Sequence, residues 1–453
     1  MNNLNLFEAI SKRTCKIGVI GLGYVGITTA GVFANQGFTV FGCDLIQSIV
    51  KSVVSGNFIC SESELAEMVN NAVKSGKLWA TTDSSDLAKS CDVIVICVPT
   101  PLSREHKADL SFLQSACETV AHALTKEKLV IIESTVPPAT IMKISAMLEG
   151  ISGLSCGNDF WLSYCPERLT PSDSVRDFIN NDRIIGGFDA QSTRLASHLF
   201  RQVIKGEVVL TDSLTAETAK LAENAFRDAN IAFANELALI CEQVGTDVKE
   251  VIKLTNTHPR VNIHAPGCGV GGACLPKDPY FLLAAAKQHT EHSVIRCSRR
   301  LNSFMESHTL SMILTALRLA KKDVDDSRIS VLGLSYKKGT NDTRNAPSKF
   351  IIHELLRLGA QVNTYDPLST ESFDGKKCAT PYEAIANTDC LVILTDHNEF
   401  ASLDLERVKE IMNNPACIVD GRRLISPARA NSIGIRYYGI GVRERSQPDD
   451  ETL

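Results

Sequence analysis

Residues 15–44 read CKIGVIGLGYVGITTAGVFANQGFTVFGCD, a pattern typical of a β-α-β unit. A short β-branched run ends in glycine, an apolar helical stretch follows from about Ile27 to Asn35, and a second strand ends at Asp44. The glycines between the first strand and the helix have the spacing G-x-G-x-x-G. In a β-α-β unit this spacing indicates dinucleotide binding.

The three glycines of this turn have separate physical roles. Gly21 permits the tight turn, Gly23 lets the backbone approach a pyrophosphate, and Gly26 lets the helix pack closely on the strand. A carboxylate at Asp44 can accept hydrogen bonds from both ribose hydroxyls and would repel a 2′-phosphate, so NAD is predicted rather than NADP. A flavin, or a purely structural turn, is the alternative. The predicted cofactor contacts in this unit are Gly21, Gly23, Tyr24, Val25, Gly26 and Asp44.

The composition is that of an ordinary globular protein. A length of 453 residues suggests two to four domains, at about 100–200 residues each. The net charge of −5, without a basic stripe, argues against nucleic acid as the main partner. The stretch from Ile17 to Cys43 carries no charge, so a hydropathy plot could assign it to a membrane span. Its glycine pattern is better explained by the dinucleotide-binding β-α-β unit. No membrane partner is therefore predicted.

The chain has fifteen cysteines, an odd number, and no two of them form a C-x-x-C pair. This argues against a zinc ribbon and a thioredoxin-type site, and no metal is predicted. Several cysteines lie in apolar runs, where the thiol acts as a small hydrophobic group. We therefore expect free thiols in a reducing, cytoplasmic compartment.

Two further strands are predicted at 92–98 (DVIVICV) and 129–133 (LVIIE), and each ends in a turn that contains threonine and proline. Ligands of doubly wound sheets gather beyond the carboxyl ends of the strands. Pro99, Thr100 and Thr135 are therefore predicted to line the cofactor site near its nicotinamide end. The alternative is that these segments are only turns.

Residues 213–245 form the longest helical pattern, and Gly245 is its expected stop. A helix of that length exceeds the usual globular range, so it joins two domains or forms a dimer core. One face of this helix is polar and the others are small and apolar, which favours a site wall over a solvated surface. The residues on that face are Lys220, Asn224, Arg227, Ile231 and Asn235.

The last third of the chain begins again as an α/β module, with strands expected at 329–334, 359–366, 389–395 and 416–420 and a helix at 346–358. It repeats the architecture of the first module, but its first turn lacks G-x-G-x-x-G and is basic, with Lys337, Lys338 and Arg344. Such a loop suits a phosphate other than that of the dinucleotide, and a solvated loop is the alternative. The fold class is α/β, with two Rossmann-like doubly wound domains joined by a long central helix.

Residues 266–282 read PGCGVGGACLPKDPYFL. Glycines at this density form a loop whose backbone comes close to another group. Within it Cys274 precedes Lys277, and a cation together with backbone N–H groups favours the thiolate, which is the nucleophilic form. Cys268 lies in the same loop but is interpreted as a small loop residue without a catalytic role. A dinucleotide and a nucleophilic cysteine together suggest oxidation through a thiohemiacetal and a thioester, as in aldehyde oxidisers.

The chain resembles the nucleotide-sugar 6-dehydrogenase family, which includes the UDP-glucose, GDP-mannose and UDP-N-acetylhexosamine dehydrogenases. The matching motifs run from Gly21 to about Arg423 in the family's order: GLGYVG, VPTP, STVPP, YCPERL, KLAENAFRDANIAFANE, GVGGACLPKD, GLSYKKGTNDTRNAPS and YDP. The resemblance implies oxidation of a sugar C6 hydroxyl to the carboxylate with two NAD and without release of the aldehyde. It also implies a homodimer or a higher homo-oligomer.

The resemblance further implies roles for individual residues. Cys274 would be the nucleophile, Lys220 would stabilise negative charge on O6, and Asn224 would hydrogen-bond the same oxygen. Asp278 would hold a water together with Lys220, and Glu167 would assist the water that hydrolyses the thioester. The substrate contacts that it implies are Glu167, Arg168, Lys220, Asn224, Arg260, Gly271, Lys337 and Arg344. The position of Arg260 often reaches the sugar nucleotide bound to the partner subunit in this family.

The sugar is a separate question. NAFRDANIAFANE and HPRVNIHAPGCGVGG resemble the UDP-N-acetylhexosamine branch, above all UDP-N-acetyl-D-mannosamine. Ala273 stands where that branch usually has His, and LPKD after the cysteine resembles the UDP-glucose and GDP-mannose branches. UDP-glucose is therefore the alternative substrate and GDP-mannose the third.

Two rival classes remain: a catalytically silent relative that only binds nucleotide sugars, and a 3-hydroxy acid dehydrogenase that shares the first domain. The presence of the implied catalytic residues disfavours the former, and the cysteine loop disfavours the latter. The predicted domains are a cofactor domain at 1–212, a helical dimerisation domain with the cysteine loop at 213–315, and a nucleotide-sugar domain at 316–453. Residues 2–13 are read as a short extension and the residues after Gln447 as a disordered acidic tail.

Overall fold

The computed structural model describes residues 3–170, 173–286 and 292–442. The chain divides into two compact units. The first contains residues 1–223 and 280–287, and the second contains residues 224–279 and 288–453. The predicted acidic tail lies outside the described residues, and the three predicted domain boundaries stay predictions.

The helices are α1 Asn3–Ser11, α2 Tyr24–Asn35, α3 Gln47–Val54, α4 Ser63–Lys74, α5 Ser84–Ser90, α6 Ser111–Ala123, α7 Thr140–Ser152, α8 Ser174–Asn180, α9 Ala190–Phe200, α10 Ser213–Val244, α11 Val248–Thr255, α12 Asp278–Ala285, α13 Val294–Leu319, α14 Pro347–Arg357, α15 Pro381–Ile385, α16 Asn398–Ala401, α17 Leu405–Ile411 and α18 Pro427–Ser432. The strands are β1 Lys16–Ile20, β2 Thr39–Cys43, β3 Leu78–Thr81, β4 Val93–Ile96, β5 Leu129–Ile132, β6 Trp161–Tyr164, β7 Arg183–Gly187, β8 Val208–Asp212, β9 Arg328–Leu332, β10 Gln361–Tyr365, β11 Lys376–Lys377, β12 Cys390–Ile393, β13 Cys417–Asp420 and β14 Arg436–Gly439.

The first unit is built on an eight-stranded sheet in the order β3-β2-β1-β4-β5-β6-β7-β8. Its neighbours run parallel except β6 and β7, which are antiparallel. The central strands β4 and β5 are apolar along their whole length and fully buried, as expected for strands covered by helices on both faces. The strand order reverses direction between β1 and β4, and this switch point is where doubly wound sheets bind ligands.

The second unit contains a six-stranded parallel sheet in the order β11-β10-β9-β12-β13-β14. Its middle strands repeat the order seen around β1, with β9 between β10 and β12 as β1 lies between β2 and β4. Hydrophobic clusters cover both faces of this sheet. These observations confirm the predicted α/β fold class, with two doubly wound modules and a long helix between them in the sequence.

Helix α10 has 32 residues, or about 48 Å at 1.5 Å per residue. It ends one residue before Gly245, whose φ of 82° is the left-handed conformation that commonly follows a helix. The division between the two units falls within this helix, after Glu223.

The uncharged stretch from Ile17 to Cys43 is a strand, turn, helix and strand rather than a membrane span. Among the described residues, no helix is long and apolar enough to cross a membrane. The amino-terminal extension contains helix α1, and its Phe7 ring packs against His198 of α9 at 5.2 Å between ring centroids. The largest difference from a predicted helix or strand boundary is at helix α2, which begins at Tyr24, three residues before Ile27.

Candidate active site

The glycine-rich turn between β1 and α2 has the geometry expected of a dinucleotide site. Gly21 has a φ of 90°, and a Cβ at Gly26 would lie 1.8 Å from the carbonyl oxygen of Gly21. A Cβ at Gly23 would meet no atom within 4 Å, so space remains beside the backbone there. Because α2 begins at Tyr24, its first N–H groups point to this space and suit a pyrophosphate.

Asp44, at the end of β2, is tied to the same turn. Its Oδ2 accepts the Leu22 N–H at 2.8 Å and its Oδ1 accepts the Ile46 N–H at 2.9 Å. The carboxylate is half-buried and is therefore both oriented by the backbone and open on one side. The space at Gly23 and this oriented acid together fit an NAD-type cofactor.

The threonine turns beyond β4 and β5 are joined to each other. The Thr100 hydroxyl donates to the carbonyl oxygen of Thr135 at 2.7 Å, and the Ser134 hydroxyl donates to the carbonyl oxygen of Val98 at 2.8 Å. The structure thus brings the predicted residues Thr100 and Thr135 together at the carboxyl edge of the first sheet.

Lys220 and Glu167 form a buried pair in the first unit. The Lys220 ammonium donates to the backbone carbonyl of Glu167 and lies 3.3 Å from its carboxylate Oε1. Burial by itself would raise the pKa of Glu167, but the Lys220 charge and the Leu169 N–H outweigh it and hold that pKa below its usual range. The pair therefore presents an ammonium and an ionised carboxylate side by side, which suits stabilisation of an oxyanion and handling of a water.

Arg168, which was predicted to bind substrate, has protein partners. Its guanidinium pairs with the Glu223 carboxylate and donates to the carbonyl oxygen of Asp182 at 2.9 Å. The segment after Glu167 is held further by the Thr170 N–H, which donates to Asp177 at 2.9 Å. Arg168 thus holds this segment to the side of α10.

In the second unit the glycine-rich loop packs against the first turn of the second module. The Gly272 N–H donates to the Arg344 carbonyl at 2.8 Å, and the Asn345 side chain donates to the Gly272 carbonyl at 3.0 Å. A Cβ at Gly271 would lie 2.7 Å from both the Asn345 carbonyl oxygen and the Tyr336 side chain. The backbone of this loop therefore comes close to another group, as predicted, and that group is the 336–345 loop.

Cys274 differs from most of the other cysteines in its exposure to solvent. Cys274 and Cys297 are exposed, and the remaining thirteen are buried or half-buried. The contrast with Cys268 in the same loop is direct, because burial raises the pKa of the Cys268 thiol to about 11. The Cys274 carbonyl accepts the N–H groups of Lys277 and Asp278 at 2.9 Å and 2.8 Å, so the cysteine stands at the turn that opens α12.

Asp278 is fully buried and has two close partners in the second unit. The Asn224 amide donates to its Oδ2 at 2.6 Å, and the Lys277 ammonium lies 3.3 Å from its Oδ1. Lys277, which was expected to favour the Cys274 thiolate, is thus engaged by Asp278. Asn224 and Asp278 are brought together as a hydrogen-bonded pair beside the cysteine turn.

The remaining predicted substrate contacts lie in the second unit. Arg260 is exposed on the turn after α11. The Lys337 ammonium lies 5.9 Å from the centre of the Tyr336 ring, and Arg344 forms a two-pronged ion pair with Asp342, with a closest distance of 2.6 Å. The basic first turn of the second module is therefore partly neutralised by its own aspartate.

Two further side chains were not predicted from the sequence, one that contacts the start of α7 and one that follows β13. Glu217 lies on α10 and accepts two backbone N–H groups at the start of α7. Arg422 follows β13, and its guanidinium lies 2.6 Å from where a Cβ of Gly267 would stand. The signal for Arg422 was the D-G-R-R sequence directly after a predicted strand, whereas the Glu217 contacts had no local sequence signal.

Comparison with known proteins gives the family. Three models described as the UDP-glucose/GDP-mannose dehydrogenase family match the chain, with the NAD binding domain over residues 15–204, the central domain over 214–303 and the UDP binding domain over 330–427. The chain belongs to this family. As a member of the UDP-glucose/GDP-mannose dehydrogenase family it is a nucleotide-sugar dehydrogenase with an NAD-type cofactor domain, and the predicted family resemblance is confirmed.

Two relatives and one solved structure illustrate the match. A UDP-N-acetyl-D-mannosamine dehydrogenase of Pyrococcus horikoshii is 42% identical over 94% of this chain and 99% of its own length. An NDP-N-acetyl-D-galactosaminuronic acid dehydrogenase of Ralstonia solanacearum is 35% identical over 91% of this chain and 97% of its own. A solved UDP-D-ManNAc dehydrogenase of Pyrococcus horikoshii superposes with a TM-score of 0.89 at 41% identity, covering 95% of this chain and all of that one.

Proposed function

We propose that this protein oxidises the C6 hydroxyl of UDP-N-acetyl-D-mannosamine to the carboxylate. The observation that carries this proposal is the similarity, along nearly the whole chain, to a relative named for that substrate. In the proposed reaction one water and two NAD are consumed, and two NADH and three protons are released. An NAD-type cofactor bound at the Gly21–Gly26 turn supplies the hydride acceptor.

Cys274 is the proposed nucleophile. Its thiolate adds to the C6 aldehyde to form a thiohemiacetal, and oxidation of that adduct gives a thioester at the same sulfur. Water then cleaves the carbon–sulfur bond, which releases the carboxylate and restores the thiol. The exposure of Cys274 at the turn that opens α12 supports this role, because a nucleophile must be reachable by its substrate.

The charged groups of the first unit suit the other steps. The Lys220 ammonium, fixed by Glu167, would stabilise negative charge on O6 as it develops. The ionised Glu167 carboxylate would accept a proton from the water that cleaves the thioester. Thr135, joined to Thr100, would position the reacting end of the cofactor.

Asn224 and Asp278 are the polar residues proposed to act beside Cys274 in the second unit. The Asn224 amide would donate to O6, and Asp278 would hold Asn224 in the orientation that the 2.6 Å hydrogen bond defines. Lys337 and Arg344 are the proposed contacts of the nucleotide diphosphate. Arg260 and Gly271 are further proposed substrate contacts, and Gly271 offers backbone beside the 336–345 loop.

UDP-glucose is the second candidate substrate, since Ala273 and the LPKD sequence after Cys274 resemble that branch. A panel that measures NADH release separates the candidates: UDP-N-acetylmannosamine, UDP-N-acetylglucosamine, UDP-N-acetylgalactosamine, UDP-glucose and GDP-mannose. The proposal expects the largest kcat/KM with UDP-N-acetylmannosamine and two NADH per sugar. A larger kcat/KM with UDP-glucose would replace the proposed substrate, and one NADH per sugar would refute the four-electron reaction.

A further inference from the structure

Glu217 is a buried carboxylate with an unusual pair of partners. It lies on α10, has no exposed surface, and uses both of its oxygens. Oε2 accepts the Ala139 N–H at 2.7 Å and Oε1 accepts the Ile141 N–H at 2.7 Å. Both donors stand at the beginning of α7, where N–H groups have no partner within the helix. Glu217 therefore fastens the start of α7 to α10.

Ala139 is itself held in an uncommon conformation. Its φ is 67°, in the left-handed region that an alanine rarely adopts. Such conformations persist where surrounding contacts enforce them, and they cluster at functional sites. The N–H that Glu217 accepts belongs to this same residue, so the left-handed turn and the buried carboxylate are parts of one arrangement.

The arrangement lies between two residues of the proposed active site. Thr135 precedes the V-P-P segment that leads to Ala139, and Lys220 lies one helical turn beyond Glu217 on α10. Val136, which lies between Thr135 and Ala139, is fully buried. The Thr140 hydroxyl donates to the Pro137 carbonyl oxygen at 2.6 Å. Only three residues separate Thr135 from Ala139, so a shift of the Ala139 turn would reach Thr135 through a short segment that the buried Val136 anchors.

We propose that Glu217 is a positioning residue that fixes the Thr135 turn relative to Lys220 during oxidation; this inference rests on the proposed function of those two residues. A carboxylate is required because each of its oxygens meets an N–H. Glutamine has the same shape but only one acceptor, so its NH2 group would face one of the two backbone donors. Glu217 touches neither substrate nor cofactor in this account.

The test compares the full-length wild type with Glu217→Gln and with a matched control, Glu149→Gln. Glu149 also accepts a backbone N–H in the first unit, from Cys156 at 2.9 Å, but it lies at the far end of α7. For each protein we would measure kcat and KM for NAD and the sugar, the deuterium isotope effect with sugar labelled at C6, the dissociation constant of NADH, and the melting temperature. Assays at about pH 8.5 keep Glu217 ionised, since burial raises its pKa to about 7.

The proposal expects Glu217→Gln to lower kcat at least about tenfold, because small misplacements of reacting groups cost rate steeply. The isotope effect should rise because C–H cleavage becomes slower. KM and the NADH dissociation constant should stay within about twofold of wild type, because only the alignment of the bound groups is lost. Glu149→Gln should behave as wild type. Unchanged kcat and isotope effect in Glu217→Gln would overturn the proposal, and so would parallel losses of kcat, NADH affinity and melting temperature.

Backbone hydrogen exchange separates this inference from the proposed function. If wild type oxidises none of the nucleotide sugars, the proposed function fails, and the exchange of the Ala139 and Ile141 amides still reports on Glu217. The proposal expects both amides to exchange faster in Glu217→Gln than in wild type or Glu149→Gln. Equal exchange rates in all three proteins would show that Glu217 does not hold this turn, whatever the enzyme's substrate.

Discussion

The Asn224 amide donates to Oδ2 of Asp278 at 2.6 Å, and Asp278 has no exposed surface. A buried carboxylate that loses such a donor keeps one oxygen without its hydrogen bond, which costs about 1–3 kcal/mol, although the Lys277 ammonium still lies 3.3 Å from the other oxygen of Asp278. The hydrogen bond therefore contributes to stability as well as to the chemistry proposed for Asn224.

We expect Asn224→Ala to lower the free energy of unfolding by about 1–3 kcal/mol and to reduce kcat. Urea unfolding and initial rates measure the two effects. Asn158→Ala is the control, because Asn158 is exposed and bonds only a nearby serine hydroxyl. That control should stay within about 0.5 kcal/mol of wild type. An Asn224→Ala protein as stable as the control would show that Asp278 does not depend on Asn224.

Asp44 is expected to decide cofactor affinity. Asp44→Ala removes the acceptor of the Leu22 N–H and the proposed ribose contact, so the NADH dissociation constant should rise at least about tenfold, the equivalent of one charged hydrogen bond. Fluorescence titration with NADH measures this change, and titration with UDP should give the wild-type affinity. Unchanged NADH affinity would contradict the ribose assignment.

Stability is expected to depend on pH through Glu306. Burial raises the pKa of this carboxyl to about 7 in the folded protein, although the nearby Arg299 charge opposes the shift. Because its unfolded pKa is about 4.3, the folded state binds more protons between these values, and this group makes the protein less stable as pH rises from about 4.3 to 7. Glu217 acts in the same direction.

Melting temperatures between pH 4 and pH 8 test that expectation, because this window spans the unfolded pKa of about 4.3 and the folded pKa of about 7. In Glu306→Gln the fall in melting temperature with rising pH should be smaller than in wild type. Replacement of the exposed Glu410 by Gln should leave the wild-type fall in place. A Glu306→Gln protein with the full wild-type pH dependence would show that this carboxyl ionises normally in the fold.

Helix α10 exposes an apolar stripe that supports the predicted homodimer. Phe226, Phe233 and Ile240 are 67%, 51% and 47% exposed, and their seven-residue spacing puts them on one face. We expect wild type to be a dimer and Phe233→Glu to shift it towards monomer, as measured by light scattering after gel filtration. Phe350→Glu, on α14, should keep the wild-type mass. A monomeric wild type would refute the predicted dimer.

The comparison of Asp44 with Asp366 shows how far the sequence predicts the sites. Each residue directly follows the second strand of its module, and each accepts the N–H of a leucine in the turn after the first strand, Leu22 at 2.8 Å and Leu334 at 2.7 Å. The sequence predicts this repeat because strand, turn and acid are local patterns. Only the tertiary structure shows that Asp366 is buried and is also bonded by Ser335 and His397.

Because of those contacts, the Asp366 carboxylate differs from the Asp44 carboxylate in its accessibility. Burial alone would raise the pKa of Asp366, but hydrogen bonds from His397 and from backbone N–H groups outweigh it and hold that pKa far below its usual range. Asp366 therefore stabilises its own loop, whereas Asp44 keeps an open side. His397 is distant from Asp366 in the sequence, and no periodicity links such residues. The same reason explains why the Arg168–Glu223 pair and the Glu217 contacts were not predicted.

Cys274 is proposed to carry the sugar as a thioester. The most direct test of this role is a count of NADH released and uronate formed per nucleotide sugar by Cys274→Ser, with Cys297→Ser as the control at the other exposed thiol. We expect no uronate from Cys274→Ser, with NADH affinity retained, and two NADH per uronate from Cys297→Ser. Undiminished uronate formation by Cys274→Ser would contradict this role.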